Sequence, residues 1–199
     1  MFRMAPGSLP KLRFSSAEEL CTVLVPGEEA EALLKPRLGA ADFLAALVAA
    51  GLVVDAIRYL AVALPRREAV WWACATRRRM PVVETEPEQA AWQAAEAWVY
   101  EPTELNRRAT YAHAERLRFE TAGAYAALGV FWSGGSLAPP ESAQHVPPGD
   151  GLTGSAVGAS VMLRCVPGEA RTTAERQRLV LEAGFDIARG GSGLAGTAS

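Results

Sequence analysis

VVDAIRYLAVALPRREAVWWACATRRRM, residues 53–80, decides the fold. Val53, Ile57, Leu60 and Leu64 recur at spacings of four, three and four, which gathers them on one face of a helix. Pro65 then opens a second helix, because a proline in the first turn sacrifices no internal hydrogen bond. That helix runs to Met80, and the arginines at 77–79 suit its carboxyl-terminal dipole. Upstream, Ala40–Ala50 supplies a third helix, with Gly51 fitted for a tight turn between helices. The whole run from Phe43 to Leu64 is apolar but interrupted by Gly51, Asp55 and Arg58. A membrane span needs roughly 20 largely uncharged residues, so a buried helical hairpin is expected here and no membrane association.

The same pattern extends in both directions. Residues 1–14 read as an extended lead-in. Ser15 or Ser16 is placed to cap a first helix, with Glu18 or Glu19 returning the capping-box bond, and Pro26-Gly27 ends it. A short helix at Glu28–Leu34 is cut off by Pro36 and Gly39. After Met80, PVVETE (81–86) is the only stretch that reads as extended. Pro87 and Pro102 open two further helices, and Thr121 caps AGAYAALGVFW. Residues 133–151, SGGSLAPPESAQHVPPGDG, hold four prolines and four glycines and must form a loop. Loops of that length are uncommon unless they bind something or are disordered. A glycine-containing helix at Gly154–Val166 and a last one from Pro167 to about Arg189 complete the domain, with 190–199 expected as a flexible tail. The reading is an all-α single domain over 15–189, with eight or nine helices packed as antiparallel hairpins.

Composition agrees. The chain has 199 residues, half of them hydrophobic, which suits one globular domain rather than a disordered segment. A net charge of −2 argues against direct nucleic-acid binding, which usually carries a basic excess. The amino terminus shows no apolar signal core, so the cytoplasm is the expected compartment. Cys21, Cys74 and Cys165 are far apart in apolar helical sequence and read as buried thiols.

The search for chemistry excludes more than it finds. Only two histidines occur, His113 and His145, and neither has a ligand at metal-binding spacing, so no metal or cofactor is expected. No nucleophile elbow and no phosphate loop is present. The five tryptophans stand out. Trp71 and Trp72 are adjacent on one helix and therefore point about 100° apart. Most of these rings are expected to fill gaps in an alanine-rich core, with one or two left as interface anchors. Tryptophan and arginine are enriched among binding hot spots. The candidate protein-binding residues are thus Arg66, Arg67, Trp71 and Trp72; the acidic stretch Glu84, Glu86 and Glu88; and the loop with its approach, Trp132, Ser133, Gly134, Gly135 and His145.

Four stretches carry a family resemblance: ALPRREAVWWACATR (63–77), AAWQAAEAWVYEPTELNRRATYA (90–112), LGVFWSGGSLAPP (128–140) and DIARGG (186–191). Together they resemble an uncharacterised bacterial domain family, over roughly 40–190, whose genes sit beside those for type VI secretion spike components, PAAR-like proteins and thiolase-like proteins. The resemblance implies a cytoplasmic accessory that binds a cognate effector or the spike carrying it. Such a protein would serve as an immunity protein that blocks a toxin or as an adaptor-chaperone that loads it. An immunity protein would present acidic groups or an inserted loop to the toxin's active site, whereas an adaptor would offer an apolar groove. Two other classes remain: an enzyme with a site assembled from His113, Glu84 or Cys74 on scattered helices, and a purely structural scaffold.

Overall fold

In a computed structural model, which describes residues 8–166 and 172–194, the chain is all-α and forms one domain. Its ten helices among the described residues are α1 (Ala17–Val23), α2 (Glu28–Glu31), α3 (Ala40–Ala49), α4 (Val53–Ala63), α5 (Arg66–Arg79), α6 (Glu86–Tyr100), α7 (Glu104–Arg116), α8 (Ala122–Phe131), α9 (Leu152–Arg164) and α10 (Thr173–Ala188). The count is above the expected eight or nine, and the short helix expected at Glu28–Leu34 is the single turn α2. PVVETE forms no strand; the only β pairing among the described residues is an isolated bridge between Ser16 and Gly39. No helix among the described residues is long and apolar enough to cross a membrane.

Local chemistry sets the helix ends. Ser16 caps α1 and Glu19 returns the bond, so the capping box forms as its sequence dictates. Thr103, Thr121 and Thr172 accept from the third-residue amides of α7, α8 and α10, and Glu175 completes a second capping box at Thr172. Gly51 turns the chain from α3 into α4 at φ 78°. That conformation carries no Cβ penalty only for glycine.

Helix α9 lies at the centre, packed against α4, α5, α8 and α10. Close approach depends on its small residues. A Cβ on Gly154 would stand 2.6 Å from the Val62 Cα, so α4 and α9 meet backbone to backbone. Gly184 on α10 makes similar room for Leu60 and Trp72. Large rings then supply the volume that alanines leave unfilled: Trp72, Trp92, Tyr59, Phe43 and Phe185 are among the largest fully buried side chains. A smaller cluster joins α6, α7 and α8 through Ala91, Ala114, Ala127 and Leu128, with Leu117, Phe119, Tyr125 and Trp132 packed against it.

The described ends of the chain are tied down. Lys11 and Arg13 donate their amides to Ala188 and Ala63. Past α10, the Trp71 indole donates to the Ser192 carbonyl at 2.7 Å, and Leu194 packs on the core. Residues 1–7, the expected helical start at 167–171, and 195–199 lie outside the described residues.

Candidate protein-docking surface

Two adjacent arginines on α7 organise the long loop. Thr103 starts the helix and Glu104 follows it, so Arg107 and Arg108 fall one turn away on the same side. Glu104 accepts from Arg107 Nε and Nη2 and from Arg108 Nε, each at 2.7 Å. With one carboxylate shared between two cations, the remaining guanidinium donors turn to backbone carbonyls. Arg107 reaches Phe131 and, at 3.0 Å, Ser136. Arg108 reaches Ser136 and Ala138, both at 3.1 Å. Arginine suits this task because it offers five donors in a fixed planar fork. The hydrogen bond from Arg107 is the main reason the Glu104 carboxyl is held down to about 2.

The ends of the loop are gathered by α5. Arg66 donates to the Ser133 carbonyl and to Asp150, both at 3.0 Å, and Arg13 joins it on Asp150 at 3.0 Å. Inside the loop, Leu137 donates to the Val146 carbonyl at 2.8 Å and Val146 returns to the Ser136 hydroxyl at 3.1 Å. The loop is therefore pinched at its neck, with Pro139–His145 as its tip. Gly135 is needed twice over: its φ is 61°, and a Cβ there would lie 2.8 Å from Glu104 and 2.9 Å from Arg107.

This fastening creates a cleft of about 550 Å³ between the loop and α7–α8, lined by Arg108, Tyr111, Phe131, Trp132, Leu137, Pro139 and Pro140. Tyr111 packs against Phe131 at 4.8 Å between ring centres and against Phe119 at 6.1 Å. Phe119 reaches that position because Arg118 and Phe119 both adopt left-handed backbone, at φ 55° and 57°, as α7 turns back. Such conformations are unfavourable for ordinary side chains and persist where surrounding packing enforces them. The Arg107 guanidinium lies 4.9 Å from the Phe131 ring centre. The result is a rigid aromatic floor with a proline wall.

A second, smaller cleft of about 240 Å³ is lined by Arg67, Glu68, Trp71, Val99 and Tyr100. Tyr100 meets Trp71 edge-on at 6.1 Å, and Arg78 stacks over the Trp71 ring. Arg67 donates to the Val99 carbonyl at 2.6 Å.

The sequence-selected residues divide accordingly. Trp132, Ser133 and Gly135 belong to the loop assembly, Gly134 is half-buried beside them, and Arg66 fastens the loop ends. His145 is exposed near the loop tip. Trp71 and Arg67 sit on the second cleft. Trp72 lies in the core, with its indole donating to Val180 at 2.8 Å, and offers no surface. The acidic stretch is broken up. The Glu84 side chain is only 6% exposed, held by Arg77 at 2.6 Å and by Arg164 at 3.1 Å. Glu88 accepts from the Gly123 amide, and of the three only Glu86 is exposed. Sequence reading missed Tyr111, Phe119, Phe131, Arg107 and Arg108. The spacing of Glu104 to Arg107 and Arg108 signals the ion pairs, but nothing local signals the carbonyls that complete them.

The groups considered for catalysis stand apart in character. Burial pushes the Cys74 thiol up to about 12 and the Cys165 thiol up to about 11, which keeps both protonated at neutral pH. Glu84 is committed to its two arginines. His113 is half-buried on α7.

Residues 43–188 match the model of a family described as "Family of unknown function (DUF6931)", a span that takes in both clefts and all the helices from α4 to α10. No curated protein and no solved structure matches the chain.

Proposed function

We propose that this chain, which belongs to the DUF6931 family of unknown function, is a non-enzymatic protein-binding accessory whose docking surface is the aromatic cleft beneath the arginine-fastened loop. The observation that carries this reading is the construction of that cleft. Tyr111, Phe131, Trp132 and two prolines line it, while Arg66, Arg107 and Arg108 hold the loop through its carbonyls. A loop fastened by its backbone keeps its side chains available to a partner. A preorganised aromatic surface also loses little conformational entropy on binding.

The resemblance to a family encoded beside type VI secretion spike components points to the partner. In this reading it is a cognate PAAR-like effector or the spike that carries it, met in the cytoplasm. Between the two roles, an adaptor-chaperone has the better support. An electrostatic immunity protein would present a cluster of carboxylates, yet Glu84 is buried in an ion pair and Glu88 is turned toward the Gly123 amide. An apolar groove instead suits a helical or extended segment of a cargo protein.

Co-expression with the neighbouring effector followed by size-exclusion chromatography tests the reading. Co-elution that is lost in Trp132→Ala is the expected result. Separate elution at micromolar concentration of both proteins would sink it. Protection of cells that express the toxin, in the absence of any effect on its secretion, would return the immunity role to first place.

A further inference from the structure

Hydrogen bonding at the aromatic cleft is lopsided. The acceptors around it are already taken: the Phe131, Ser136 and Ala138 carbonyls receive bonds from Arg107 and Arg108, and the Pro139 carbonyl receives the Ser142 amide at 3.0 Å. Donors remain. Arg108 is the only charged residue that lines the cleft, and its side chain is 25% exposed. Its Nε, Nη1 and Nη2 each donate one bond, to Glu104, Ala138 and Ser136, whereas a guanidinium carries five N–H groups. One N–H on each terminal nitrogen is therefore unassigned. The Trp132 indole and the Tyr111 phenol, both on lining side chains, have no hydrogen-bond partner among the described residues. Charge is lopsided in the same sense. Glu104 is the one carboxylate paired with Arg107 and Arg108 among the described residues, so the cluster carries one more cation than anion. No carboxylate lines the cleft itself.

An aromatic floor with unassigned donors and surplus positive charge is complementary to an apolar group that brings an anion with it. We infer that the cleft takes an apolar anchor side chain from a partner protein segment that carries Asp or Glu within about one helical turn of that anchor. The anchor fills the space over Tyr111, Phe131 and Trp132, and the acidic side chain accepts from Arg108. Arg108 and Tyr111 are three residues apart on α7, a spacing that makes them neighbours at about 5–6 Å. An acid one turn from the anchor matches that offset, whereas a terminal carboxylate on the anchor residue itself lies closer. A lysine or arginine in the acid's place would face Arg108 and is disfavoured. The inference rests on the docking reading above and specifies the partner's chemistry.

The test uses the full chain as bait for a random peptide library displayed on phage, panned in parallel against wild type, Trp132→Ala and Tyr111→Ala. Tyr111 is 39% exposed, so Tyr111→Ala carries the test if circular dichroism shows Trp132→Ala unfolded. The expected result is enrichment on wild type of aromatic or leucine anchors with Asp or Glu within about four residues, lost on both variants. An enriched peptide and its counterpart with the acid changed to the amide are then titrated, each with a free and an amidated carboxyl terminus. The acidic peptide should bind wild type about threefold to fivefold more tightly, as a partly exposed ion pair allows, and added salt should shrink that advantage. On Arg108→Gln the two peptides should bind alike. Any slackening of the loop in that variant weakens both together, so their ratio reports the charge contact alone. Cleft-dependent enrichment of peptides with neutral or basic flanks overturns this inference and leaves the docking surface standing. So does an acidic advantage that survives Arg108→Gln, or one that belongs to the peptide's terminal carboxylate. Absence of any enrichment sensitive to Trp132 or Tyr111 overturns both.

Discussion

Arginine builds two very different structures in this protein. Where α5 and α9 approach the start of α6, Arg77 and Arg164 close on Glu84, and Arg164 also donates to the Met80 carbonyl at 2.6 Å. Both guanidiniums lie over the Trp92 ring, 5.6 and 5.9 Å from its centre. The side chains of Arg164 and Glu84 are only 4% and 6% exposed, so opposite charges have been removed from water together. Burial pushes the Arg164 guanidinium below its ordinary value, and the nearby carboxylates oppose that push. On α7 Arg107 is just as enclosed, at 3% exposed, but the carboxylate it holds is open to solvent. Glu104 stays about half exposed, and four of the seven bonds donated by Arg107 and Arg108 go to neutral carbonyls. In the buried centre each charge depends on its partner for solvation. At the loop the charges serve mainly to hold a backbone in shape. One arrangement fastens helices, and the other shapes a surface.

Removing Glu84 should therefore cause the largest loss. Glu84→Ala leaves Arg164 buried without its ion-pair partner, a change that costs about 3–5 kcal/mol in comparable settings. For a chain of this size, thermal unfolding should begin on the order of 10 °C earlier, measured by circular dichroism. The double variant Glu84→Met/Arg164→Met, which removes both buried charges, should recover part of that loss. Equal melting of the single variant and wild type would show that the centre is solvated and the contrast is false.

Backbone contact offers the next comparison. In Gly154→Ala the new methyl meets the Val62 backbone at 2.6 Å, so α4 and α9 must separate, at roughly 1–3 kcal/mol. Gly134→Ala, in the loop, meets nothing within 4 Å and should leave unfolding unchanged. Denaturant titration of the pair reads both.

These features differ in how far the sequence discloses them, and the reason is range. The apolar spacing of Val53, Ile57, Leu60 and Leu64, the serine and threonine caps and the proline breaks all act within one or two turns, so most helix positions were legible to within one or two residues. Even so, α10 begins at Thr173 rather than Pro167, and α2 ends at Glu31 rather than Leu34. The 133–151 loop was legible from its prolines and glycines alone. What was hidden depends on pairing across the chain. Glu84 reads as an exposed helix start until Arg164, 80 positions away, is seen to cover it. Trp71 and Trp72 are neighbours of the same type, and only the placement of α10 decides that Trp72 is the one enclosed. The cleft was hidden for the same reason: its floor unites Tyr111 of α7, Phe131 of α8 and Phe119 from a strained turn.

Arg107→Met tests the surface arrangement directly. It strands the Phe131 carbonyl and leaves Ser136 and Glu104 to Arg108 alone, at about 1–3 kcal/mol. Its signature is local. Amide hydrogen exchange should quicken at Leu137 and Val146, while amides of α4 and α9 keep their protection. Uniform acceleration across the molecule would mean that the loop and the core are one cooperative unit.

Acid offers a milder way to separate the two regions. The Glu104 carboxyl is held down to about 2 against an ordinary value of 4.5, chiefly by its hydrogen bond from Arg107. A lowered carboxylate contributes stability above the unfolded value and loses it as pH falls toward the folded one. Its contribution is thus complete at neutral pH, declines below about 4.5 and is gone near 2. Protection of the Leu137 and Val146 amides should accordingly persist at pH 3, where an unpaired glutamate would already be protonated. Loss of that protection between pH 5 and 4 would show that Glu104 is not the keystone of the clamp.

Only a small effect on stability is expected at Arg66, and the smallness is informative. Its side chain is one-third exposed and its partner Asp150 more than half exposed, so the ion pair contributes at most about 1 kcal/mol after solvent screening. Arg13 also shares Asp150, which leaves one contact in place when Arg66 is lost. Arg66→Met should therefore melt within about 3 °C of wild type. The loop should nevertheless lose its tether at Ser133, because no other side chain reaches that carbonyl among the described residues. If Trp132 depends on that tether for its orientation, partner affinity will fall while the melting temperature holds. A fall in both together would mean that Arg66 supports the core and only incidentally the loop. A fall in neither would place the whole burden of shaping the cleft on Arg107 and Arg108.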